Sequence, residues 1–179
     1  MAHGGDDGRL LEKLLREIAR AEVLAIEAPE REARRIGEAP PIAALVAVAE
    51  HAELMHGRFA WLLERHELAL HLTRGPLGST LSSLRHLVVD RVVNAERAYR
   101  SVLLELRHGL DVVKLLREIA RREKLFGLIR WCDDWLTARR TLVTRAEAQL
   151  PWFVEQEQLA ELRPTHGDSV ESWEPIEER

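Results

Sequence analysis

Leu11, Leu15, Ile18, Glu22 and Ala25 recur at steps of four and three residues, the spacing that lines side chains along one face of a helix. The pattern predicts a first helix over about 9–36, after a disordered N-terminus at 1–8. Pro29 falls inside that span and should end or kink it, because proline lacks the donor that the helical ladder needs. A turn around Gly37 to Pro41 leads into a second helix over about 41–66, opened by Pro41, a residue that a first turn tolerates. Its inner stripe reads Ile42, Val46, Ala49, Glu53, His56, Ala60 and Leu63.

The pattern changes after His66. Leu68, Leu70 and Leu72 alternate with other residues, and Gly75, Pro76 and Gly78 break the chain, so 67–79 reads as an extended connection. A third helix over about 80–107, capped by Ser79 or Thr80, carries the stripe Leu81, Leu84, Val88, Val92, Ala95, Tyr99, Val102 and Leu106. His108-Gly109 is the expected turn. Asp111 then caps a fourth helix over about 111–150, with Leu116, Ile119, Glu123 and Phe126 on its stripe and Pro151 as its stop.

Shifting the chain by seventy residues superposes parts of its two halves: Leu11 on Leu81, Leu14 on Leu84, Val23 on Val93, Ala25 on Ala95 and Leu45 on Leu115. Glu53 also falls on Glu123, Gly57 on Gly127 and Trp61 on Trp131 without a gap. Leucine and alanine matches come cheaply in helices, but a matched Glu, Gly and Trp do not. The expectation is a duplicated helical hairpin.

Composition agrees with an all-α chain: of 179 residues 46% are apolar and only 5% aromatic, with Ala, Leu, Arg and Glu dominant. A net charge of −4 gives no general reason to expect nucleic acid. Residues 151–179 hold eight acidic side chains against Arg163 and Arg179, a charge of −6, which leaves about +2 on the body by difference. This acidic segment is expected to be mobile or loosely docked, pinned in places by Trp152 and Trp173. One cysteine, Cys132, excludes an internal disulfide and fits a reducing, cytoplasmic setting. No segment is apolar enough to span a membrane, and none resembles a signal peptide.

An extended 67–79 at ~3.3 Å per residue would reach roughly 40 Å, about the length of a helix of ~25 residues. That length permits a crossover between two hairpins related by a pseudo-twofold axis. The chain here resembles the ferritin-like superfamily, the rubrerythrins and bacterioferritins, over roughly residues 9–136. The resemblance is carried by Glu22 on the first helix, Glu53-Leu54-Met55-His56 on the second, Asn94-Ala95-Glu96-Arg97-Ala98-Tyr99 and then Glu123-Lys124-Leu125-Phe126. It implies a four-helix bundle in which each hairpin contributes one carboxylate and a Glu-x-x-His to a dinuclear metal centre. By that resemblance Glu53 and Glu123 would bridge two metals, and Glu22 with His56 would complete one of them. Val92 and Phe126 stand where the terminal ligands of the other belong, so a normal dinuclear iron centre is not expected.

Three carboxylates and an imidazole turned inward repel or desolvate one another unless a cation joins them. Glu22, Glu53, His56 and Glu123 are therefore candidate ligands for one divalent ion, Fe, Mn or Zn. The plain alternative is a polar remnant neutralised by protonation or by arginines such as Arg58 or Arg122. Glu96 lies one turn from Val92 and would replace the missing carboxylate, or would instead pair at the surface with Arg100. Cys132 reads as a buried inert thiol, and Trp61 with Trp131 as core or bundle-end packing. The sequence holds no Gly-rich phosphate loop, nucleophile elbow or CxxC.

The expected protein is thus a bundle that has lost redox catalysis and acts as a non-catalytic structural or interaction module. It would be a homodimer, with the acidic segment as a docking peptide for a protein partner or as a solubilising tail. The other class keeps one metal and performs oxygen- or peroxide-linked chemistry.

Overall fold

A computed structural model describes residues 4–65 and 93–162 of the chain, and within them every regular element is a helix. The first, α1 (Gly4–Ile36), is already helical over 4–8, where a disordered lead-in was expected. It also runs unbroken through Pro29. The ring removes one backbone donor, but the neighbouring Ala25, Ala28 and Glu32 are buried against other helices, and that packing outweighs the loss. Gly37 ends the helix at φ 67°, the left-handed conformation that a residue without Cβ adopts at no steric cost, and returns its N–H to the Ala33 carbonyl at 2.8 Å.

The second helix, α2 (Pro40–Arg65), lies where the pattern placed it but is rotated. Its buried residues are Pro41, Ile42, Leu45, Val48, Ala49, Ala52, Met55, Phe59, Leu62 and Leu63, whereas Val46, Glu53 and Ala60 are exposed. The buried stripe is thus set about one residue, or roughly 100°, from the predicted one. The N-terminal half of α2 is apolar on nearly every side, so spacing alone did not choose its inner face.

The connection expected at 67–79, the start of the third helix and its stripe Leu81, Leu84, Val88 and Val92 lie outside the described residues. The described part of that region is not helical at Val93-Asn94. Helix α3 (Ala95–Arg122) starts afresh there, with the Asn94 side chain accepting from the Arg97 N–H at 3.0 Å as an N-cap.

The expected turn at His108-Gly109 does not form: α3 continues through it to Arg122. A helix interior tolerates one glycine at a cost of about 1 kcal/mol, and Gly109 is buried on the packed side of α3. The real turn is Glu123-Lys124-Leu125, with Lys124 at φ 58°. Helix α4 (Phe126–Glu147) follows, fifteen residues later than the predicted start at Asp111. The seventy-residue register therefore lays the α1–α2 turn onto the middle of α3. It also equates Trp61, 58% exposed, with Trp131, 5% exposed.

Pro151 does not end the folded body. It sits in the first turn of a short helix α5 (Leu150–Glu155), followed by α6 (Glu157–Ala160). Phe153 and Ala160 are buried, Phe153 against the Tyr99 ring with centroids 5.1 Å apart. The Ala95 N–H donates to the Leu162 carbonyl at 2.9 Å, tying this segment to the start of α3. The segment expected to be loose from 151 is thus docked as far as Leu162.

Helix α1 packs against α2 and α3, and α4 against the same two, so α1 and α4 face each other across the middle. Two apolar clusters show the directions. One joins Leu11–Ile18, Met55–Leu63, Val112–Ala120 and Leu128–Leu136. The other joins Ala25 and Ala28, Leu45–Ala52, Ala95–Leu106, and Val143 and Ala146. Neighbouring helices are therefore antiparallel, α2 and α3 run parallel, and Arg65 and Ala95 lie at opposite ends. Each fully buried Leu, Ile or Phe in these clusters is worth about 1.5–3 kcal/mol.

Candidate functional site

Glu22 follows Ile18 of one cluster and precedes Ala25 of the other, while Arg139 falls between Leu136 and Val143 in the same way. Both sit 1% exposed at the junction. Arg139 Nη2 donates to Oε1 and to Oε2 of Glu22, each at 2.8 Å. The guanidinium lies 4.7 Å above the Trp135 ring, a cation–π contact in a dry setting. Trp135 in turn stacks with Trp131 at 6.3 Å and tilts against His51 at 6.4 Å.

Burial sets the proton affinities here. It raises the Glu22 carboxyl to about 7, with the Arg139 charge pulling the other way. It lowers His51 to about 4, helped by the charges of Arg139 and Arg58. Arg139 Nε, Trp135 Nε1 and His51 Nδ1 are buried without a hydrogen-bond partner among the described residues. The Trp135 indole N–H faces Glu22 outside hydrogen-bond geometry. A cavity of about 80 Å³ between α1 and α3 reaches this pair and is flanked further out by Arg31, Glu32, Ser101 and Glu105. Small-molecule sites occupy roughly 300–1,000 Å³, so this cavity has room for ordered water rather than for a metabolite.

The predicted ligand set is not assembled. Glu22 points inward as expected, but into Arg139. Glu53 is exposed and His56 half-buried on α2, and Glu123 is the exposed C-cap of α3. Among the described residues no group of three or more His, Cys, Asp or Glu side chains could hold a metal ion. The α2 rotation accounts for Glu53, and the displaced α3–α4 turn accounts for Glu123. Phe126, expected on an inner stripe, is 75% exposed. Glu96 makes the surface ion pair with Arg100.

Neither Arg58 nor Arg122 neutralises Glu22; Arg139 does, and the sequence reading missed it. The signal was present: Leu128, Cys132, Trp135, Arg139, Val143 and Ala146 recur at helical spacing, so one arginine interrupts an apolar stripe.

Cys132 is fully buried and desolvation pushes its thiol up to about 12, which makes it inert. A second buried pair closes the other end of α1. Arg35 Nε lies 3.2 Å from Glu32 Oε2, and Arg35 Nη1 donates to the Val93 carbonyl at 3.0 Å.

The fold and site thus define an all-helical protein with a closed ionic layer at its centre, and no described helix is long and apolar enough to cross a membrane. Compared with protein-family models, curated proteins and solved structures, the chain has no significant match.

Proposed function

We propose that this protein is a ferritin-like helical bundle without a complete dinuclear metal site, and that it serves as a non-catalytic structural or interaction module, as a homodimer. The observation that carries the reading is the commitment of Glu22 to Arg139. The inner carboxylate most like a metal ligand is already neutralised by a guanidinium. A cation bound there would leave Arg139 buried and uncompensated, a loss of about 3–5 kcal/mol.

The helix directions support the ferritin-like part of the reading. Antiparallel neighbours with α2 and α3 parallel is the order that two hairpins joined by a long crossover would produce. Exposed apolar side chains, among them Leu104, Leu115 and Val154, supply area for association.

Elemental analysis of protein purified without chelator tests the loss of the metal centre. The expected result is no stoichiometric iron, manganese or zinc. Near-stoichiometric metal that disappears in Glu53→Ala/His56→Ala would overturn the reading in favour of a single-metal protein. Light scattering tests the dimer, and a monomer mass at micromolar concentration would remove that part.

A further inference from the structure

Trp61 and Phe126, 58% and 75% exposed, rim an open groove of about 690 Å³ between α2 and α4. Gly57 leaves its floor low, since nothing lies within 4 Å of where a Cβ would stand. Arg58 and Arg130 flank the aromatic rings and are exposed; among the described residues neither makes an ion pair, and Asp134 is the only acidic residue of the lining. Two unspent guanidinium groups beside two exposed aromatic rings suit a peptide that is acidic and carries an aromatic residue.

Such a peptide exists in the same chain. Residues 163–179 carry a charge of −3, and Trp173 lies among Glu171, Glu174, Glu177 and Glu178. The reach is sufficient. Leu162 is held at the start of α3 by Ala95, and Tyr99 bonds Ala146 O at 2.8 Å, which sets that level on α4. Tyr99 lies four residues beyond Ala95 along α3 and Arg130 sixteen residues back from Ala146 along α4, roughly 30 Å in all at 1.5 Å per residue. Trp173 is eleven residues beyond Leu162, a span of up to about 36 Å.

We propose that the Trp61–Phe126 groove is the docking site of this chain's own acidic segment around Trp173, with Arg58 and Arg130 binding its glutamates. Being intramolecular, the contact is held by effective concentration rather than by high intrinsic affinity. It lies away from the Glu22–Arg139 layer and does not depend on whether the bundle has lost a metal centre.

The test uses the full chain with Trp173→p-benzoylphenylalanine, irradiated as a mixture of ¹⁴N- and ¹⁵N-labelled protein and mapped by mass spectrometry. Cross-links within one chain, to 57–62 or 126–134, are expected. Arg58→Glu/Arg130→Glu should lower their yield about fivefold, the effect of losing two exposed charge pairs. Adding Glu171→Lys/Glu174→Lys should restore it. Circular dichroism checks folding, which exposed arginines do not govern. Cross-links between chains would assign the groove to a second copy, and cross-links elsewhere, or a yield indifferent to charge reversal, would equally overturn the proposal.

Discussion

Arg139 on α4 holds both carboxylate oxygens of Glu22 on α1, 2.8 Å away, across the middle of the bundle. The pair sits in an otherwise apolar interior, so each partner depends on the other for compensation. Attraction in a dry interior offsets two large desolvation penalties only while both charges are present.

Removing one partner is therefore expected to be far worse than removing both. Arg139→Leu and Glu22→Leu should each destabilise the protein by about 3–5 kcal/mol, whereas Glu22→Leu/Arg139→Leu should recover most of that loss. Urea unfolding of the three variants gives the cycle. Additive losses would mean that the two groups act independently.

His51, beside the ionic layer, fixes a pH dependence. Burial and the charges of Arg139 and Arg58 lower it from 6.5 to about 4, so between those values the unfolded chain binds the extra proton and stability rises with pH. The slope approaches about 1.4 kcal/mol per pH unit. His51→Gln should remove that contribution. Thermal melts from about pH 4 to 6.5, with and without the substitution, read the effect.

Cys132 should be silent toward iodoacetamide at pH 8 in the native protein and react at the rate of a free thiol in denaturant. Its burial and a thiol raised to about 12 leave almost no thiolate. Fast native labelling would place the side chain at the surface instead.

Backbone conformation sets opposite effects at the two helix ends with positive φ. Lys124, at φ 58°, should gain about 1 kcal/mol on Lys124→Gly, and Gly37, at φ 67°, should lose a similar amount on Gly37→Ala. Gly109→Ala is expected to stabilise by about 0.5–1 kcal/mol, because a Cβ there meets Trp135 and Ala21 at ordinary contact distances of 3.6 and 3.8 Å. Denaturant midpoints order the three variants.

By itself, the amino-acid pattern determined that this is an all-helical chain, located α1 and α2, and put Glu22 on an inward face. Those features follow from local spacing: Leu11, Leu15, Ile18 and Ala25 share one side of α1 whatever they pack against. Tertiary structure decided the rest. Apolar residues surround the first half of α2, so its rotation, and with it the exposure of Glu53, depended on where α1 and α4 lie. His108-Gly109 reads locally as a turn, yet a helix packed on two neighbours absorbs one glycine, and α3 ran on to Arg122. The partner of Glu22 stands 117 residues away on the opposite helix; no local periodicity pairs residues at that separation, because only packing brings them within bonding distance.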